Sequence, residues 1–318
     1  MELSRRTVLS TLAASTLQAQ SASRKTWKPK LGILGNYSEE NIAFAKQEGF
    51  TSIGLWARGR TSLDPAIVTD DLLAKVKASV ARSGLYLSVV GSTVNHVDPD
   101  LTKRRQINES FRKVIEIAGK LGAPYVGTGS GAMPGRSLDE NVAELVKVYS
   151  EQYFPTCQKY SVRILWEPYP GSPNVATGPI GYDALFKAFG NSPYVGLQYD
   201  PSHLVWQMMD PIQTARDYVD KIYDVHLKDT EVFTRVLRRC GINPPDKTKW
   251  WRYRIPGLGQ MDWPAFFTVL QDAGYSGAMN IEHEDPVYGD PQRGDVFNEG
   301  YKEGFRMGYR YLRQYVPV

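Results

Sequence analysis

The chain has 318 residues, of which 42% are hydrophobic and 12% aromatic, enough for one large α/β domain or two smaller ones. Its 38 basic and 34 acidic residues nearly balance, and the basic residues are dispersed, so we expect no nucleic-acid partner. After the N-terminal region no stretch of about 18 uninterrupted apolar residues occurs, so we expect a soluble mature protein without membrane spans.

The N-terminal residues have the pattern of an export signal. Arg5 and Arg6 form a twin-arginine pair, which is followed by a mildly apolar stretch from Val8 to Leu17. Small residues at 19, 21 and 22 then offer cleavage points. We therefore predict a twin-arginine signal over residues 1–22 and a periplasmic protein. The alternative is a disordered N-terminus with a chance arginine pair.

Short β-rich segments then alternate with amphipathic segments along the chain. The predicted strands cover 30–34, 52–56, 85–90, 125–128, 162–166, 195–199, 222–227 and 278–281. The predicted helices between them cover 38–48, 65–82, 101–121, 138–160, 182–189, 211–219, 263–273 and 297–315. Pro155 is expected to kink the fourth helix, because proline cannot donate a backbone hydrogen bond. A long insertion runs from Asp229 to about Met261 after the seventh strand.

Eight strand–helix units in series predict a (β/α)8 TIM barrel, which forms a single domain over residues 30–318 after a linker at 23–29. The alternative is a doubly wound open sheet. That fold favours fewer strands and a Gly-x-Gly-x-x-Gly turn, which the glycine-containing turns of this chain do not form.

Imidazole and carboxylate side chains gather at the ends of the predicted strands. The four histidines at or just past strand ends are His96, His203, His226 and His283. The accompanying carboxylates are Glu167, Asp200, Asp229, Glu282 and Glu284. In a parallel barrel the carboxyl ends of the strands meet in one pocket, and these side chains are ligands of hard or borderline divalent metals. The pattern therefore predicts a metal site at the barrel mouth.

Each of these residues also has a simpler interpretation. Glu167 suits an N-cap or a surface ion pair, and Asp200 suits a turn cap before Pro201. His226 lies inside an apolar strand, where each ring nitrogen needs a partner, so it is either a metal ligand or a buried structural histidine. Strand alternation sends Glu282 and Glu284 to the side opposite His283, and Glu282 is favoured because it lies nearer the strand.

Four motifs, one on each of strands five to eight, make the chain resemble a known superfamily. They are Trp166-Glu167-Pro168, Asp200-x-x-His203, Val225-His226-Leu227-Lys228-Asp229 and Asn280-Ile281-Glu282-His283-Glu284. Over residues 30–315 the chain is similar to the xylose-isomerase-like TIM-barrel superfamily, in its sugar isomerase/epimerase branch.

This resemblance implies that Glu167, Asp200, His226 and Glu282 bind one divalent metal, Mn²⁺, Mg²⁺ or Co²⁺. It also implies that Glu167 and Glu282 act as acid and base on opposite faces of the substrate, and that His203 contacts a substrate oxygen. Ketose 3-epimerases of this branch have an arginine shortly after the histidine ligand. Here Lys228 is the candidate replacement, which puts an epimerase substrate in doubt.

Further residues are candidates for substrate binding. His96 is predicted to line the pocket above the third strand, with a plain loop histidine as the alternative. The insertion contains Trp251, Arg252 and Arg254, whose aromatic and guanidinium groups suit sugar recognition. A loop of this length is typical of a functional element, and a subunit contact in a homo-oligomer is the alternative.

These residues predict a metal-dependent isomerase or epimerase that acts through an enediolate of a small sugar or polyol. A lyase or hydratase acting on 3-keto-glycosides or inososes would use the same site. An endonuclease IV-like enzyme needs more histidines than this chain has, and it needs a basic surface. A sugar-binding barrel without catalysis is the alternative from another class.

Overall fold

The computed structural model describes residues 27–190, 192–289 and 297–317, so the predicted signal lies outside the described residues. The strands are β1 (Lys30–Gly35), β2 (Ser52–Trp56), β3 (Tyr86–Gly91), β4 (Tyr125–Thr128), β5 (Arg163–Trp166), β6 (Val195–Tyr199), β7 (Ile222–Leu227), β8 (Asp229–Val232), β9 (Trp251–Arg254) and β10 (Ala278–Ile281). Strands β1 to β7 and β10 form a closed parallel barrel in which β10 pairs with both β7 and β1. The predicted TIM barrel is confirmed.

Helices connect the barrel strands on the outside. They are α1 (Glu39–Gln47), α2 (Asp70–Ser83), α3 (Leu101–Leu121), α4 (Leu138–Val148), α5 (Phe154–Tyr160), α6 (Pro179–Phe189), α7 (Pro201–Trp206), α8 (Pro211–Tyr218), α9 (Thr234–Cys240), α10 (Trp263–Asp272) and α11 (Glu299–Leu312). Among the described residues no helix is long and apolar enough to cross a membrane. Before β1, Trp27 is only 5% exposed and lies 6.3 Å from the ring of Phe267.

Two predicted helices differ from those observed. Helix α2 begins at Asp70 rather than at residue 65, because the Thr69 side chain accepts a hydrogen bond from the Leu72 N–H and caps the helix there. The predicted helix 138–160 is divided by a π-helical turn over Tyr149–Tyr153. Pro155 lies two residues after the end of that turn, so the expected distortion of the helix takes the form of one wide turn.

Helix α7, the β8–β9 hairpin and helix α9 were not predicted. Helix α7 begins directly after β6, where Asp200 caps it by accepting a hydrogen bond from the Ser202 N–H. The insertion after β7 contains an antiparallel hairpin of β8 and β9, in which Asp229 is opposite Arg254. The buried Asp229 carboxylate accepts hydrogen bonds from the backbone N–H groups of Gly257 and Met261, so it ties the end of the insertion back to β8.

A polar layer inside the barrel lies below the strand ends. Asp224 and Asn280 precede His226 and Glu282 by two positions on the same strands, so each pair shares the inward face. The Asp224 carboxylate accepts hydrogen bonds from Gln198 at 3.0 Å and from Asn280 at 3.3 Å. Burial raises the pKa of Asp224 to about 6. This hydrogen-bonded layer lies inside the barrel directly below the side chains at the strand ends.

Candidate metal centre

Four side chains from four strands converge at the barrel mouth. Glu167 follows β5, Asp200 follows β6, His226 belongs to β7 and Glu282 follows β10. Each is buried, and one possible ligand atom from each lies within 4.8 Å of the others. The Nδ1 atom of His226 lies 3.1 Å from Glu167 Oε1 and 3.2 Å from Glu282 Oε2. The structure thus brings together all four residues that were predicted as metal ligands.

The charges of this cluster suit a cation. Burial raises the pKa of Glu282, but Lys228 and His226 outweigh it and lower that pKa to about 2. Burial likewise raises the pKa of Glu167, and His226 with His203 outweighs it and holds the pKa well below its usual range. Three carboxylates and one imidazole nitrogen are a donor set for a hard or borderline divalent metal. The residues present therefore fit such an ion.

Lys228 lies beside the cluster, but its ammonium group faces protein carboxylates rather than open space. Its side chain is 1% exposed, and Nζ lies 2.5 Å from Glu282 Oε2, 2.9 Å from Glu284 Oε2 and 3.0 Å from Asp200 Oδ2. Three acidic partners surround its ammonium group, which balances their negative charge in a buried site. Substrate binding by Lys228 stays a prediction.

His203 lies next to the cluster, as expected for a residue that touches substrate. Its Nε2 atom is 3.3 Å from both Glu167 Oε1 and Asp200 Oδ2. Its Nδ1 atom is 2.8 Å from the hydroxyl of Tyr253, a residue of the hairpin that the sequence analysis overlooked. The alternating Trp251-Arg252-Tyr253-Arg254 pattern could have indicated a role for Tyr253, because Trp251 and Tyr253, two positions apart on a strand, lie on the same face.

The two hairpin arginines that were predicted to bind substrate are paired with protein carboxylates. Arg252 Nε donates to Glu231 at 2.7 Å. Arg254 donates to Asp285 at 2.8 Å and to the same Glu231 at 2.6 Å. The pairs with Glu231 link β9 to β8 within the hairpin, and the Arg254–Asp285 pair connects the hairpin to the segment after β10. Substrate binding by Arg252 and Arg254 stays a prediction.

Trp251 lies on the opposite face of the hairpin from these arginines. Its ring stacks on Trp206 with centroids 4.4 Å apart and planes 6° apart. It also contacts the ring of Tyr253 edge-on at 4.8 Å. The predicted sugar-stacking face of Trp251 is thus covered on one side by Trp206, and the residue supports Tyr253.

The remaining histidines lie in hydrophobic surroundings. His96 is fully buried, with Nδ1 at 2.9 Å from the Tyr153 hydroxyl and Nε2 at 3.1 Å from Thr128 Oγ1. Both ring nitrogens therefore have protein partners, which is what a structural histidine requires, and a place in the substrate pocket stays a prediction. His283 stacks on Tyr301 at 4.2 Å, on the side of β10 away from the cluster, as strand alternation predicts.

The fold and the strand-end cluster define a TIM-barrel protein with a candidate metal centre, and comparison with known proteins gives the family. The chain belongs to the xylose isomerase-like TIM barrel family, whose model matches residues 42–313. It is 27% identical over 286 residues to YfiH of Bacillus subtilis, described only as uncharacterized, and the match covers 78% of this chain and 88% of that protein.

Two further relatives have described activities. An inosose dehydratase of Clostridium tetani is 33% identical over 99 residues, which is 30% of this chain and 33% of that protein. The solved 3-keto-D-glucoside 4-epimerase of E. coli superposes with a TM-score of 0.65 at 16% identity, covering 90% of this chain and 100% of that one. Taken with the family membership, these comparisons confirm the prediction of an enzyme of this superfamily.

Proposed function

We propose that the protein is a divalent-metal-dependent sugar isomerase or epimerase that moves a proton on the carbon beside a carbonyl group. The observation that carries this proposal is the approach of two buried glutamates to one atom, His226 Nδ1, at 3.1 Å for Glu167 and 3.2 Å for Glu282. The two glutamates come from β5 and β10, which lie on opposite sides of β7 in the barrel. A substrate over this cluster would therefore have a carboxylate on each side.

Glu167, Asp200, His226 and Glu282 would hold the cation, with Mn²⁺, Mg²⁺ and Co²⁺ as the candidates. When bound, such an ion supplies Lewis acidity that stabilises negative charge on neighbouring substrate oxygens, by several kcal/mol. The identity of the metal is open to direct measurement in the purified protein.

Side chains of the protein then transfer protons to and from the substrate. The Glu167 carboxylate removes a proton from the carbon beside the carbonyl group, which leaves an enediolate. Glu282 takes up a proton from solvent and gives it to the opposite face of that carbon, yielding an epimer, while Glu167 releases the proton that it removed. If the proton is instead given to the neighbouring carbon, and a hydroxyl hydrogen shifts between the two oxygens, the isomeric sugar results. His203 Nε2, which lies 3.3 Å from Glu167 Oε1, is placed to bond a substrate oxygen.

A dehydratase is the second candidate, and the local match to inosose dehydratase favours it. If the substrate has a leaving group one carbon further on, the same enediolate expels it instead of taking up a proton. A small free sugar, an inositol-type polyol or a 3-keto-glycoside is the substrate class that both candidates share. Proposed export of the protein by its Arg5-Arg6 signal would make sugar phosphates poor candidates.

Solvent deuterium exchange tests the proposal. The protein is incubated in D₂O with Mn²⁺ and a panel of ketoses, inososes and 3-keto-glucosides, and each sugar is examined by NMR. Deuterium at one carbon identifies the proton that is removed, and the product distinguishes epimerase, isomerase and dehydratase. If no member of the panel exchanges or reacts, and the purified protein contains no metal, a sugar-binding barrel replaces the proposed enzyme.

A further inference from the structure

The β8–β9 hairpin reaches the candidate metal centre through one hydroxyl group. Tyr253, on β9, places its hydroxyl oxygen 2.8 Å from Nδ1 of His203. The indole Nε1–H of Trp206, the last residue of α7, donates to the same hydroxyl at 3.3 Å. A hydrogen-bonded chain therefore runs from Trp206 through Tyr253 to the histidine beside Glu167.

The direction of this chain follows from the donor properties of its members. An indole N–H only donates, so the Tyr253 oxygen accepts from Trp206. Among the described residues the other hydrogen-bond partner of that hydroxyl is His203 Nδ1, which accepts the phenolic hydrogen when the neutral ring carries its own hydrogen on Nε2. The opposite nitrogen, Nε2, then carries the ring hydrogen. It faces Glu167 and Asp200, whose oxygens both accept.

The surroundings of Tyr253 hold its ring in this position. Trp251 contacts the ring edge-on at 4.8 Å, and Trp206 stacks on Trp251 with only 6° between the planes. The ammonium group of Lys228 lies 4.4 Å from the centroid of the Tyr253 ring. A hydroxyl held by aromatic stacking and a cation–π contact has little freedom to turn away from the imidazole.

We propose that Tyr253 is a positioning residue that fixes the tautomer of His203, so that Nε2–H is presented as a donor to the reacting substrate. This inference rests on the proposed function and extends it, because it makes the hairpin part of the reaction site rather than only a candidate subunit contact. Without the Tyr253 hydroxyl, His203 Nδ1 lacks its donor, and the tautomer with hydrogen on Nδ1 becomes populated.

The first test compares Tyr253→Phe with Tyr275→Phe. Both substitutions remove one buried hydroxyl group, but Tyr275 donates to Ala278 O at 2.7 Å at the opposite end of the barrel. With a substrate found by deuterium exchange, we expect kcat of Tyr253→Phe to fall about 10- to 100-fold, with a smaller change in KM. Tyr275→Phe should keep the wild-type kcat. Equal kcat values in the two variants would overturn the proposal.

The second test does not depend on turnover. In protein loaded with Mg²⁺ and labelled with ¹⁵N-histidine, NMR reports which ring nitrogen carries hydrogen, and the His203→Gln variant assigns the signals. We expect hydrogen on Nε2 of His203 in the wild type and a mixture of tautomers in Tyr253→Phe, with the His96 signals unchanged. Identical His203 signals in both proteins refute the role of Tyr253. Absence of any wild-type turnover would instead refute the proposed function.

Discussion

His226 and His96 are both fully buried, yet their pKa values are shifted in opposite directions. Burial lowers the pKa of His226, but the carboxylates of Glu282 and Glu167 outweigh it and raise that pKa well above its usual value. Around His96 the partners are neutral hydroxyl and carbonyl groups, and burial lowers its pKa to about 3. The neighbouring side chains, rather than burial or residue type, thus decide which histidine belongs to a charged site.

The largest effect should come from removing the carboxylate charges around His226. We expect Glu167→Gln and Glu282→Gln each to reduce turnover by about 10²- to 10⁴-fold, because each removes a proton-transfer group. The fold should survive, since the shape of each side chain is kept. Steady-state rates measure the loss of turnover, and thermal unfolding measures whether the fold survives. The exposed Glu109→Gln serves as control and should keep the wild-type rate. Wild-type rates in either site variant would exclude the proposed mechanism.

Removing the positive charge beside the same histidine should destabilise the protein. Lys228→Met leaves Asp200, Glu282 and Glu284 without their shared ammonium partner, so we expect a loss of about 3–5 kcal/mol in the free energy of unfolding. Urea denaturation measures this loss in the free energy of unfolding. Lys103→Met breaks the ion pair with Asp98 of a lysine whose side chain is 63% exposed, and it should change stability by less than about 1 kcal/mol. Similar losses of stability in the two variants would show that the buried ion pairs of Lys228 contribute no more than an exposed ion pair.

The barrel and the metal ligands were predictable because their signals are local. Apolar strands with a carboxylate or histidine at their ends locate Glu167, Asp200, His226 and Glu282 once a parallel barrel is assumed.

The hairpin was not predictable because its contacts depend on distant pairing. Arg252 and Arg254 resemble substrate-binding residues until the register of β8 against β9 brings Glu231 to them, and until Asp285 approaches from the segment after β10. The hydrogen-bond partners of His96 were not predictable for a related reason. Its partner Tyr153 lies 57 residues away, in a π-helical turn that no periodicity indicates.

The cluster around His226 should also bind divalent metal more weakly when one carboxylate is neutralised. We expect Asp200→Asn to reduce the affinity for Mn²⁺ by at least about tenfold, because even residues that only support a metal ligand contribute that much. Titration calorimetry on chelator-treated protein measures the affinity. Asp217→Asn removes an exposed carboxylate from α8 and should leave the affinity unchanged. Equal affinities in both variants would place the metal elsewhere.

The smallest effect concerns His96 and its neutral surroundings. Its pKa is lowered to about 3 in the folded protein, so as the pH falls through about 6.5 the unfolded chain binds a proton that the folded protein refuses. Stability is therefore lost as the pH falls from about 6.5 towards 3. At pH 5 the loss is about 2 kcal/mol, from 1.36 kcal/mol for each of about 1.5 pH units.

The His96→Gln variant isolates this contribution. Glutamine does not titrate, so the variant should lose less stability than the wild type between pH 7 and pH 5, whatever the cost of the substitution itself. Chemical denaturation at both pH values gives the loss of stability between pH 7 and pH 5 for each protein. When the two losses are compared, the contributions of all other groups cancel. Parallel loss in both proteins would mean that His96 becomes protonated in the folded state, and the contrast with His226 would then rest on its carboxylates alone.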